Sequence, residues 1–242
     1  MSAPTEPGNG PGSPPAAPAP AGADDFATWN ESMVERYDIE RYYERAHPLV
    51  RWLERRRLAA LLDLASPRPG ERVLEVGCGA GHVLERFEGT TRTGVDLSAG
   101  MIARARRRLG GAARLARAAG ERLPFSAGAF DIEHVPDPAA VLAELVRVTR
   151  PDGRVVVSIP NEGNIDRVKR AMGRLPVVRG LLRRLAGEGN EWHLHSFDLA
   201  LLRHVVEGRA RIVRLRAIPG GVLPLRYVAL LRADDVDRRS RA

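Results

Sequence analysis

Cysteine and lysine are nearly missing from this chain: Cys78 is its one cysteine and Lys169 its one lysine. A single cysteine excludes an intrachain disulfide and fits a reducing cytoplasm. Aromatic residues make up 5% of the sequence, and none are interleaved with a basic cluster. That argues against a base-stacking surface for nucleic acid. No run of eighteen apolar residues occurs, which excludes a hydrophobic helix long enough to span a bilayer. The first 24 residues hold seven Pro, four Gly and six Ala, but no Leu, Ile or Val. A signal peptide needs an apolar centre, so this stretch is expected to be a flexible tail. The scarcity of lysine also bears on the net charge of +8. Of 38 basic residues, 38 − 1 = 37 are arginine. A composition heavy in Arg, Ala, Gly and Pro reflects a GC-rich genome, so the charge does not by itself imply an anionic partner.

What is present is enough for one ordinary domain with a substantial core. Residues 25–65 read as helix, interrupted at Pro48, with apolar residues Leu49, Trp52, Leu53, Leu58, Leu61 and Leu62 at helical spacing. After the loop at 67–71, strands and helices alternate. Strands are expected at 72–76, 92–96, 114–118 and 154–159, and helices at 81–87, 99–109 and 139–150. Short apolar strands alternating with helices specify an α/β fold, a parallel sheet covered on both faces. The end differs: a helix at 197–208 precedes two β-rich runs, 210–218 and 226–233. The short turn-rich link between those runs makes them an antiparallel pair.

The stretch RVLEVGCGAGHVLERF, residues 72–87, runs a buried strand into a glycine-rich turn. Such turns hold nucleotide-like ligands, and the flanking residues say which. A dinucleotide fingerprint wants glycine five positions after Gly77, where His82 stands. The Lys–Ser/Thr pair of a phosphate loop is missing too. Instead Glu75 precedes the turn and Asp96 ends the next strand, in TGVDLS.

With VLEVGCGAGHVL…GVDLSAGMIARAR and EHVPDPAAVLAELVRVTRPDGRVVVSIPN, the chain resembles the class I S-adenosylmethionine-dependent methyltransferases over residues 72–232. The likeness is to the small-molecule branch that includes quinone and natural-product enzymes. It implies a Rossmann-like, mostly parallel sheet with helices on both faces and an antiparallel C-terminal strand. It also implies S-adenosylmethionine as methyl donor and a small-molecule acceptor. The implied cofactor residues are Glu75, Gly77, Cys78, Gly79, Gly81, Asp96, Leu97, Met101, Gly120 and Glu121. Asp96 is expected to accept both ribose hydroxyls. The glycines let the backbone approach the methionine part. Glu75 helps hold the cofactor amine. Cys78 reads as a small residue in a tight turn, since no His stands near it in a triad-like pattern.

The sequence departs from the family twice. Where the family has D-A-E before LPF, with the Asp reaching the adenine amine, this chain has Ala119, Gly120 and Glu121. The central fourth strand is shortened or missing, because its opening FD is nearly fused to EHVPDP in AFDIEHVPDP, residues 129–138. The expectation is a short strand at 130–135 beside 72–76, with His134 near the transferred methyl. The alternatives are a degenerate relative that acts through binding without catalysis, or an unstable deletion.

Candidate bases for a hydroxyl or amine acceptor are His134, His193 and His195, plus Glu191. His193 and His195 can face one way as metal ligands, but no third ligand of matching spacing is apparent other than Glu191, and no metal is expected. The basic amphipathic stretch 165–187 reads either as a solvated helix or as a lid for a lipophilic acceptor in peripheral membrane contact. The domain is thus expected over 25–233, with 161–196 as an acceptor-capping insertion and tails at 1–24 and 234–242.

Overall fold

The computed structural model describes residues 23–36, 48–123, 137–173 and 197–234. Helix α1 (Ala23–Arg36) and helix α2 (Pro48–Ala65) come first. Pro48 opens α2, where its missing N–H costs nothing and its fixed φ suits the first turn. The apolar stripe expected along α2 holds only in its lower half. Leu61 is buried, but Leu49 is 55% and Trp52 36% exposed. The Arg56 guanidinium covers the Trp52 ring at 4.8 Å.

Strands β1 (Arg72–Val76), β2 (Thr91–Asp96) and β3 (Ala113–Arg117) pair in parallel, in the order β1-β2-β3. Helix α3 (Ala99–Leu109) links β2 to β3, and the Ser98 hydroxyl accepts from the Met101 N–H to cap its start, as expected. The helix expected at 81–87 does not form. Only one 3₁₀ turn, Leu84–Arg86, stands there. Gly81 at φ +82° delays the start, and Gly89 at φ +74° turns the chain away, leaving too few residues for a second turn.

Helix α4 (Pro138–Val148) begins at an Asp137 cap and leads into β4 (Val155–Pro160). Helices α5 (Glu162–Gly173) and α6 (Leu199–Val206) precede β5 (Ala210–Ile218) and β6 (Arg226–Ala233). The expected antiparallel pairing of the last two strands is observed, and β6 lies between β4 and β5.

The expected α/β architecture, with parallel strands and antiparallel strands at the C-terminal end, is observed; among the described residues the strands form two three-stranded sheets, one parallel and one antiparallel. Their side chains nonetheless form one layer. Leu74 and Val76 of β1 share a core with Val155, Val157 and Ile159 of β4, under Leu142 and Leu145 of α4 and Leu202 of α6. On the opposite face, Val73 shares a second core with Val156 and Val228, under Leu61 and Leu64 of α2 and Ala105 of α3. Alternate residues of each strand thus meet helices on both sides, as a covered sheet requires. An Arg154–Glu71 ion pair ties the approach to β1 to the start of β4. The β1 and β4 backbones are not hydrogen-bonded to each other. The short strand expected at 130–135 lies outside the described residues.

Candidate cofactor site

Above the carboxyl ends of β1 and β2 lies a cavity of about 590 Å³. This is where open α/β sheets bind ligands, and the volume is in the range of small-molecule sites. Glu75, Gly77, Cys78, Gly79, Asp96, Leu97, Met101, Gly120 and Glu121 line it together. Gly81 does not. It lets the turn pack on α3 instead, because a Cβ there would lie 2.8 Å from Leu109 Cδ1. His134, His193 and His195 lie outside the described residues, as does Glu191.

The turn and Asp96 are built around each other. Gly79 sits at φ +50° with open space where a Cβ would be. Its N–H donates to Asp96 Oδ2 at 2.8 Å, and the Ser98 N–H donates to Oδ1 at 2.9 Å. Each carboxylate oxygen is therefore fixed by one backbone donor and keeps further lone-pair capacity for a ligand. Burial pushes the Asp96 carboxyl above its ordinary range; the Ser98 and Gly79 N–H bonds pull it back, and the Glu31 charge pushes it up again. Gly94, in the middle of β2, closes the support beneath. A Cβ there would meet Leu115 at 2.8 Å and both Cys78 Sγ and Leu84 at 2.9 Å.

Cys78 is 4% exposed. Burial first, then the charges of Glu75 and Asp96, push its thiol far up from the usual value. A thiol kept protonated is a poor nucleophile, which agrees with its reading as a small turn residue. Glu75 is buried at 4% exposure directly behind the turn. The Glu121 Oε1 atom is buried with no hydrogen-bond partner among the described residues. Gly120 is closely packed, since a Cβ would come within 3.1 Å of Val141, which would have to give way by a few tenths of an ångström.

Sequence reasoning missed two walls of the cavity. Phe26, Asn30 and Val34 of α1 form one, and Arg51, Glu54, Arg55 and Leu58 of α2 the other, joined by His82 and Arg226. Both carried a signal. The first set is spaced i, i+4, i+8 and the second i, i+3, i+4, i+7, so each is one helix face. Glu54 is held by Arg57 at 2.8 Å and lies 3.6 Å from Arg226. Arg51, Arg55 and Arg86 line the cavity without an ion-pair partner among the described residues.

A glycine turn, a buried acid at the end of the next strand and a cavity over the strand ends stand on a Rossmann-like fold shared with solved methyltransferases. Residues 74–157 match the family model described as a methyltransferase domain. The solved N-methyltransferase NodS of Bradyrhizobium japonicum, in complex with S-adenosyl-L-homocysteine, has a TM-score of 0.59 at 17% identity. That match covers 84% of this chain and 97% of NodS, and at this identity the likeness is one of fold. Among curated relatives, a demethylmenaquinone methyltransferase of Beutenbergia cavernae is 35% identical over 145 residues, 55% of this chain. The nocamycin O-methyltransferase of Saccharothrix syringae is 39% identical over 116 residues, 41% of this chain. The chain spans 57% and 41% of the lengths of those two relatives.

Proposed function

We propose that the chain is an S-adenosylmethionine-dependent methyltransferase acting on a small, lipophilic molecule. The observation that carries this reading is the gathering of the glycine turn, Glu75 and Asp96 in one cavity wall. The residues fit the cofactor part by part. Asp96 has acceptor capacity for ribose hydroxyls, and Leu97, Met101 and the backbone of Gly120 offer a flat apolar slot for a base. Gly77 and Gly79 admit the backbone-hugging methionine chain. The carboxylate of that chain needs a cation, which Arg51, Arg55 and Arg86 supply on the cavity wall.

When bound, the sulfonium cofactor supplies an electrophilic methyl group, and transfer needs in-line placement more than covalent help. The chain's work is then to orient, to exclude water and, for a hydroxyl or amine acceptor, to take a proton. His134, His193 and His195 remain the proposed bases, with no metal. We take 25–233 as the methyltransferase domain and 165–187 as part of an acceptor cap with peripheral membrane contact. The setting is cytoplasmic and no nucleic-acid partner is involved. No helix among the described residues is long and apolar enough to cross a membrane.

A second reading is a methyltransferase fold that binds without transferring, and the compressed 129–138 segment favours it. Methyl-labelled cofactor incubated with the chain and a pool of quinols and catechols separates the two. Label in the organic extract, lost with Asp96→Ala, supports transfer. Cofactor binding with no labelled product from any acceptor supports the second reading.

A further inference from the structure

The link between β5 and β6 carries an apolar tip. Val222 is fully exposed and Leu223 is 44% exposed. The tip stands on a fixed base. The Leu225 N–H donates to Ile218 O at 2.7 Å, and the Asn161 N–H donates to Leu225 O at 2.8 Å. Asn164 Nδ2 donates to Pro224 O at 2.9 Å. Pro160, the last residue of β4, is in register with Arg226, the first of β6. The tip therefore stands at the carboxyl end of β4, and Arg226 behind it lines the cavity.

The start of α2 stands at the same end of the molecule. Arg51, Glu54 and Arg55 line the cavity, whereas Ala65, at the other end of α2, lines a cleft with Arg72 and Arg154, where β1 and β4 begin. Leu49 and Trp52 are exposed on the first two turns. Glu54 follows Trp52 by two residues and Arg226 follows Leu223 by three, so the Glu54–Arg226 pair at 3.6 Å brings both apolar sets to one rim. A single exposed apolar side chain is ordinary. Here four of the six large ones exposed among the described residues gather around one cavity, and the other two, Val213 and Leu215, lie on β5. Positive charge accompanies them. Glu54 is the only acid in residues 48–58, and it is held by both Arg57 and Arg226. Arg51, Arg55 and Arg56 remain exposed on the same turns, with the Arg56 guanidinium 4.8 Å over the Trp52 ring. On α5, which starts at the base of the link, Arg167, Lys169 and Arg170 outnumber Glu162 and Asp166. Apolar tips and a Trp that enter the acyl boundary, flanked by arginines that meet anionic headgroups, are the chemistry of an interfacial surface.

We propose that the Val222–Leu223 tip and the start of α2 form a docking surface for an anionic lipid bilayer, which sets the cavity rim against the membrane so that a lipophilic acceptor passes from the bilayer into the site. The delivery of an acceptor rests on the methyltransferase reading above; the docking itself does not. The test is co-sedimentation of the full chain with vesicles of phosphatidylcholine alone and of phosphatidylcholine mixed with phosphatidylglycerol. The wild type is expected to bind the mixed vesicles, to bind the neutral ones far less, and to dissociate as salt is raised. V222D/L223D should weaken binding by at least about tenfold, because two apolar side chains no longer enter the bilayer. R56E should weaken it by about fivefold or more. None of these residues lines the cavity, so both variants should bind S-adenosylhomocysteine as the wild type does, which also shows that they are folded. A wild type that ignores the mixed vesicles overturns the proposal, and so does a V222D/L223D variant that binds them normally. Binding lost in R183E/R184E but kept in V222D/L223D would also overturn it, by moving the contact to residues 165–187. A wild-type dimer that V222D/L223D splits, with no vesicle binding, would assign the surface to a second copy of the chain instead. Binding of S-adenosylhomocysteine without binding of vesicles removes this inference alone. Tip-dependent vesicle binding without binding of S-adenosylhomocysteine removes the methyltransferase reading and leaves the docking surface standing.

Discussion

Asp96→Ala tests how the cavity holds a nucleoside. In the folded chain, each Asp96 oxygen already accepts one backbone N–H, at 2.8 and 2.9 Å. On the proposed reading, their remaining lone pairs accept from two ribose hydroxyls. A hydrogen bond to a charged acceptor contributes about 1.5–3 kcal/mol. Water entering the vacated space offsets part of the loss of two such bonds, so the net effect is set at about the value of one. Affinity for S-adenosylhomocysteine should fall by about 10- to 150-fold. The assay is titration calorimetry near neutral pH, with a melting curve of the variant to confirm that it is folded. The pH dependence adds a second arm. The Asp96 carboxyl is raised by burial, so it takes up a proton at higher pH than a free carboxyl near ~3.9. Wild-type affinity should therefore decline on acidification before that range is reached, and the variant's affinity should show no such decline. The sign for folding runs the other way: a raised carboxyl favours the native state most below its unfolded value, and that contribution is lost as pH rises through the folded one. Equal affinities for wild type and variant in a folded protein would remove Asp96 from the site.

Three further outcomes concern the frame around the cavity. Gly94→Ala should destabilise the fold by about 1–3 kcal/mol in urea melts, because its Cβ would overlap three packed side chains; an unchanged midpoint would mean that β2 shifts freely. Leu142→Ala, at a position with 0% exposure under both sheets, should cost about 2–5 kcal/mol in the same assay, and a cost below 1 kcal/mol would contradict a core shared by the two sheets. Cys78 should react with a thiol reagent far more slowly in the native protein than in denaturant, since burial keeps its thiol protonated; equal rates would refute its burial.

The parts of the fold legible in the sequence are those set by local pattern. The runs 210–218 and 226–233 are strongly β-branched or apolar and joined by a turn, and both strands end where the pattern ends. Ser98 was readable as a cap because its chemistry acts over three residues. Local pattern failed where a distant partner decides. VLERF has helical composition, yet the positive φ angles of Gly81 and Gly89 leave room for one 3₁₀ turn only. Leu49 and Trp52 have the spacing of a buried stripe, yet both are exposed. In the site, the glycines and the two acids were legible because they sit at the ends of two strands that pair in parallel, β1 and β2, which fixes their meeting. Glu31 was not, because the Ala99 and Gly100 N–H groups that its carboxylate accepts from lie 68 and 69 residues away. The face 51, 54, 55, 58 was hidden in a run of arginines that reads as solvated surface.

The central claim is that the cavity over β1 and β2 binds the methyl donor's nucleoside. Titration of the full wild-type chain with S-adenosylhomocysteine, and separately with NAD, tests it most directly. The account predicts saturable one-site binding of S-adenosylhomocysteine and no binding of NAD, because His82 replaces the third glycine of a dinucleotide turn. A folded chain that gives no heat with S-adenosylhomocysteine, or that binds NAD instead, would contradict it.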